Sequence, residues 1–261
     1  MATSNQFAYV QARLQARHGQ RPSEDRWRLL ESSPDLASYL QGARSTSLRP
    51  WVVHLPPESN AHRVERSLRN DWEAYVGEVS AWVPRPWRAG VDWYATLPYL
   101  PFFVHLVRGE PVPGWMRDDA SLGHLATAEP DRRREALTAS VMGGIADALT
   151  GGVAPMVAWL DGWAANWPEV GAGIARSLLE VRTAFERHHE TIRLDPAGHP
   201  GGPRLRAPLL ARLNNLFRRH SGQIAAVFAH IGLMSLDLER MRAGLIIRAL
   251  FPEPAGRPQW A

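Results

Sequence analysis

Residues Leu209 to Phe251, LLARLNNLFRRHSGQIAAVFAHIGLMSLDLERMRAGLIIRALF, decide the fold class. The stretch has no proline, and its apolar residues return every three or four positions. That is the period of a helix with one buried stripe. Val227, Phe228, Ile231, Leu238, Met241 and Leu245 are the expected docking residues of the last helices. Asp237, Glu239, Arg240 and Arg242 share this segment and read as a mixed-charge, solvated face, worth little for stability. His220 and Ser221 are neighbours in sequence, so on a helix their side chains point in different directions and form no catalytic pair. The segment predicts long helices that bury against the rest of the chain and carry no reaction centre.

Working outward, the same period recurs between breakers. Phe7, Val10 and Leu14 predict a first helix over 5–18, closed by Gly19. Ser23 is placed to cap a second helix running to Leu30, and Pro34 opens a third over 35–43. HLPPESN (54–60) is a loop, and Ser59 or Asn60 caps a long helix to about Trp82. Its buried stripe is Val64, Leu68, Trp72, Tyr75, Val76 and Val79. Two short helices meeting at YLP are expected between Trp87 and Leu106, and one or two helical turns between Asp118 and Leu125. Pro130 begins a helix through Leu137, Val141 and Ile145, and Pro155 one toward Trp163. Pro168 begins a longer helix to about Ile192, with Ile174, Leu178, Val181 and Phe185 inside. Leu194 to Pro208 is read as a loop and FPEPAGRPQWA (251–261) as an exit tail.

No segment alternates with period two, so the fold class is all-α, an array of about ten to twelve helices. The GEPVPG stretch (109–114) is the natural place to divide it into an N-terminal lobe, 1–110, and a C-terminal lobe, 111–261. One continuous domain is the alternative.

The 261 residues suffice for a real core. All 30 basic residues are arginine, and against 26 acidic residues they leave a formal charge of only +4. The high isoelectric point therefore mostly reflects arginine's pKa and does not establish a polyanion-binding surface. No basic run is interleaved with aromatics, so no nucleic-acid partner is expected. There is no cysteine, which excludes disulfides, thiolate metal sites and cysteine nucleophiles. Residues 1–20 contain no apolar core of signal type. The longest apolar candidate, Ile224 to Leu236, is too short to span a bilayer, so work at a membrane would be peripheral.

A search for chemistry returns little. Glu186-x-x-His189 has the spacing used in bundle di-iron sites, but a second such pair and two further glutamates are missing. Asp118-Asp119 reads as the acidic first turn of a helix and not a magnesium site. A phosphate loop needs a lysine that the chain lacks, the glycine pairs have no strand before them, and no Gly-x-Ser-x-Gly elbow occurs. No cofactor, metal, small-molecule substrate or catalytic residue is expected.

Three stretches together carry a resemblance. FAYVQARLQARHG (7–19), with Tyr9, Ala12, Arg13 and Arg17, resembles the start of the C/d-type socket proteins of rotary V/A-type ATPases, a family shared by bacteria, archaea and eukaryotes. Leu68-Arg69-Asn70-Asp71 is similar to the arginine–x–aspartate helix of that family. Leu233 to Arg248, with Asp237-Leu238-Glu239-Arg240-Met241-Arg242 and a final arginine, is similar to its closing helix. The matches cover about a quarter of the chain, in the family's order. Family members are longer and consist of three similar helical units; this chain is short and shows no clear internal repeat.

The resemblance implies a non-catalytic, funnel-like helical socket in proton transport. Such a protein lies on the cytoplasmic face of the membrane, where it links the central shaft to the rotor ring. Arg13, Arg69, Asp71, Glu239 and Arg242 are the partner-binding residues it implies. A helical adaptor or scaffold of another membrane-associated complex is the alternative.

Overall fold

Helix follows helix because the apolar stripes are separated by capping residues, prolines and glycines. The computed structural model describes residues 2–126, 129–194 and 202–251. Among these, fourteen α-helical segments and no strand occur, ten of the segments being eight residues or longer. The protein is all-α, as its periodicity predicts.

α1 (Ala2–Gly19) buries Val10 and Leu14. Ser23 caps α2 (Glu24–Glu31) by accepting from the Arg26 N–H. Asp35, rather than Pro34, starts α3 (Leu36–Arg44), accepting from the Ser38 N–H at 2.8 Å. That N–H, with its neighbours, holds the Asp35 carboxyl below the usual carboxylate range. α4 (Arg49–Val52) is a single turn. Asn60 Oδ1 accepts from the Arg63 N–H at 2.9 Å and opens α5 (Ala61–Trp82). Of its expected stripe, Val64, Leu68, Trp72, Val76 and Val79 are buried, and Tyr75 lies at the edge.

Pro84 and Pro86 end that helix. A 3-10 turn, α6 (Arg88–Asp92), a second 3-10 stretch and α7 (Leu100–Val107) follow. α8 (Gly114–Arg117), α9 (Pro130–Ala139), α10 (Ala146–Thr150) and α11 (Pro155–Ala165) are short; α12 (Ala172–Leu194), α13 (Gly202–Arg219) and α14 (Ile224–Leu250) are long. All six docking residues read from the last segment, from Val227 to Leu245, are buried.

Four local expectations change. Residues 118–125 form turns, and the helical turn lies upstream, in α8. The reason is Asp119, which is buried and folds its carboxylate back onto the N–H groups of Ser121 and Leu122, at 2.9 and 3.3 Å. α9 stops at Ala139 and does not continue through Val141, which is 77% exposed. Gly143 packs so closely on this end that a Cβ there would lie 1.9 Å from the Thr138 carbonyl oxygen. α12 begins four residues after Pro168, and Ile174 is 40% exposed; Ser177 takes its place inside. Finally, residues 202–208 belong to α13 and not to a loop, with Pro208 inside the helix giving up one backbone hydrogen bond. The remainder of that expected loop, 195–201, and residues 252–261 of the exit tail lie outside the described residues.

Two compact units result. The first comprises Met1–Leu14 and Glu73–Leu233, the second Gln15–Trp72 and Met234–Ala261. GEPVPG lies inside the first, because residues on both sides of it pack into the same core. In the first unit, aromatic rings of α11 and α14 form the centre, together with Trp87 and Tyr94. In the second, α14 runs close enough to α3 that a Cβ on Gly244 would fall 2.9 Å from the Tyr39 ring.

Candidate functional site

In the second unit, four positions of α14 separated by three or four residues face one way: Asp237, Arg240, Gly244 and Arg248. Arg21 donates from Nε and Nη2 to the two carboxylate oxygens of Asp237, at 2.6 and 3.0 Å. Arg240 spans Glu24 and Glu31 with four hydrogen bonds of 2.6–2.9 Å and lies 5.0 Å over the Trp27 ring. Arg248 donates to the carbonyls of Ser33, Glu31 and Gly244 and lies 4.8 Å over the Tyr39 ring. Burial pushes the Tyr39 hydroxyl up to about 12. The mixed-charge face expected here to be solvated is a set of ion pairs and stacked guanidinium groups. Chemically it fixes α14 against α2 and α3.

The residues implied by the resemblance divide between the units. In the first, Arg13 is exposed and stacks over Tyr9 and Trp82, at 4.9 and 4.8 Å from the ring centroids. In the second, Arg242 pairs with Glu65, and the Glu239 carboxylate adds to the field that favours its charge. Glu239 is exposed; Arg69, four residues beyond Glu65 on α5, is buried at 2% exposure. Burial pushes the Asp71 carboxyl up, against the opposing effects of His54 and a hydrogen bond with Ser67. The structure thus groups Glu239 and Arg242 with Glu65 and leaves Arg13 in the other unit.

The metal hypothesis meets a different geometry. Glu186 accepts from Arg182 Nε at 2.7 Å, and Arg182 also donates to Asp161 at 2.6 Å. No group of three or more His, Asp or Glu able to hold a metal ion occurs among the described residues. None of their helices is long and apolar enough to cross a membrane.

α12 and α13, in the first unit, are joined at one end by Glu180. Its carboxylate pairs with Arg219 and lies 3.2 Å from His220 Nε2. Burial, then the charges of Arg219 and Arg212, push His220 below the usual imidazole value of 6.5. The Glu180 contact is therefore a hydrogen bond to a neutral ring more than an ion pair. The unfolded chain protonates this ring at a higher pH than the folded one does. Stability contributed here is present above about pH 6.5 and is lost as pH falls below it. Denaturant midpoints at about pH 7.5 and about pH 5.5 are expected to show that decline, and His220→Gln should reduce it. An identical decline in the variant would contradict the assignment.

Comparison with family models, with curated proteins and with solved structures finds no match.

Proposed function

We propose that this chain is a non-catalytic subunit of a rotary V/A-type proton-translocating ATPase, a helical socket linking the central shaft to the rotor ring on the cytoplasmic face of the membrane. The observation that carries this reading is the ordered likeness at 7–19, 68–71 and 233–248. The structure supports it in kind: each stretch lies on one of three long helices, α1, α5 and α14. The helices that carry the second and third are joined by the ion pair of Arg242, inside the third stretch, with Glu65, three residues before the second. Among the described residues every regular element is a helix and none is long and apolar enough to cross a membrane, which suits a peripheral load-bearing part.

A tagged copy of the chain, purified from a detergent-solubilised membrane fraction, is expected to bring shaft and ring proteins with it. Recovery of neither, under conditions in which the ATPase stays assembled, would reject the proposal.

A second reading is a helical adaptor of another membrane-associated complex. It is favoured by Ile247, Leu250 and Phe251, which leave an exposed apolar strip at the end of α14. The same purification separates the two: recovery of a different, stoichiometric set of proteins supports the adaptor.

A further inference from the structure

A groove of about 490 Å³ runs along the first unit between α12 and α13. Its lining is largely apolar and includes Leu179, Leu205 and Leu209. Its edges carry Arg176 and Arg187 from α12 and Arg212 from α13, all three exposed. The acidic group within the groove, Glu180, is already engaged by Arg219 and His220. Among the described residues no carboxylate pairs with Arg176, Arg187 or Arg212. Their charge is felt nonetheless: Arg212 is one of the groups that keep His220 neutral. Leu179 is 52% exposed at the edge, whereas Leu209, at the base, is 3% exposed. This is an apolar trough bordered by positive charge that nothing within the described residues neutralises.

We infer that the groove between α12 and α13 is a docking site for an acidic amphipathic helix of a partner protein. Arg176 and Arg187 stand eleven positions apart on one helix, about 16 Å at 1.5 Å per residue. One phosphate or carboxylate cannot span that distance. Carboxylates on one face of a partner helix, recurring every three or four residues, reach both arginines. Leucines on the adjoining face fall into the trough, as in other helix-in-groove complexes. A lipid bilayer is a poorer fit, because a plane resting on two helical ridges cannot reach Leu209. A single nucleic-acid strand is a poorer fit too: among the described residues the only aromatic ring in the lining is His188, which gives base stacking little platform. The inference stands on the groove alone and does not require the ATPase assignment.

The test uses the full chain and a fluorescein-labelled synthetic peptide of about 15 residues, ~22 Å long as a helix. The peptide carries leucine at positions 1, 4, 8 and 11 and glutamate beside them. Fluorescence anisotropy is expected to show saturable binding that weakens by about tenfold or more when salt is raised to about 0.5 M. The triple variant Arg176→Glu, Arg187→Glu, Arg212→Glu should lose about 100-fold in affinity or more. Leu179→Asp changes an exposed residue and should lose about tenfold while circular dichroism is unchanged, which keeps the test valid if the triple variant unfolds. Equal binding of a scrambled peptide of the same composition would overturn the inference. So would undiminished binding by both variants. Arginine-dependent binding of phosphatidylserine vesicles or of oligothymidylate, with no binding of the peptide, would overturn it in favour of a membrane or a nucleic acid.

Discussion

Replacing Phe228 with alanine is expected to lower the free energy of unfolding by about 3–5 kcal/mol, read as a shift in denaturant midpoint at constant slope. The side chain is fully buried, at 0% exposure. Its ring centroid lies 4.9 Å from that of Trp163, 5.7 Å from Tyr94 and 6.5 Å from Trp87, in edge-to-face and stacked arrangements. Such pairs contribute about 0.5–1.5 kcal/mol each beyond burial, which places Phe228 at the upper end of the range for aromatic truncation. The cavity has little freedom to close. Behind Tyr94, whose ring centroid lies 5.1 Å from that of Trp159, Trp93 donates to the Trp159 carbonyl at 3.0 Å and Trp159 donates to Thr96 at 2.9 Å, so the second layer of rings is fixed by hydrogen bonds as well as by contact. Phe228→Leu, which refills much of the volume, should recover more than half of the loss. A loss below about 1 kcal/mol for Phe228→Ala would mean that this face of α14 is not the centre of the core.

How far the fold can be read from the chain alone depends on the range of the forces involved. The burial of Val227, Phe228 and Met241 follows from spacing within one helix, and the caps at Ser23 and Asn60 act within three residues. Both kinds of signal are local, and both are legible in the sequence. The end of α9 is not, because it depends on Gly143 lying against the carbonyl of Thr138, and Val141 continues the apolar pattern past the break. Ile174 misleads for a related reason: it sits on the helical stripe of α12 but in its first turn, where it stays 40% exposed.

The charged residues of α14 show the same limit more sharply. Arg240 looks alike in sequence whether it is solvated or bound to Glu24, 216 positions away. Arg176, Arg187 and Arg212 likewise read as ordinary surface arginines until α12 and α13 are laid side by side. Of the residues singled out for function, Arg13, Arg69, Asp71, Glu239 and Arg242 rest on likeness to a family and not on local chemistry. Nothing in their spacing alone distinguishes a binding residue from a structural one, as the burial of Arg69 illustrates.

Arg21→Ala is expected to destabilise the protein by about 3–5 kcal/mol, far more than the loss of an ordinary surface ion pair. The Arg21 and Asp237 side chains are only 12% and 8% exposed, and the pair is bidentate. Truncating the arginine leaves the Asp237 carboxylate in the interior without the partner that matches both its oxygens. Most of the loss is the desolvation cost of that carboxylate rather than the net worth of the pair.

Two comparisons isolate this cause. Arg28→Ala removes an arginine of the neighbouring helix α2 whose partner is Asp25, with side chains 69% and 86% exposed, and should cost about 0–1 kcal/mol. Arg21→Met combined with Asp237→Leu removes the buried carboxylate together with the arginine and should restore much of the stability lost in Arg21→Ala, because the desolvation cost of that carboxylate is then gone. If the double variant is as unstable as the single one, the destabilisation lies in lost packing of the arginine stem. If Arg21→Ala costs under about 1 kcal/mol, water reaches Asp237 and the pair behaves as a surface contact. Urea denaturation of these three variants and the parent chain at one pH, chosen well above the carboxylate range, decides among these outcomes.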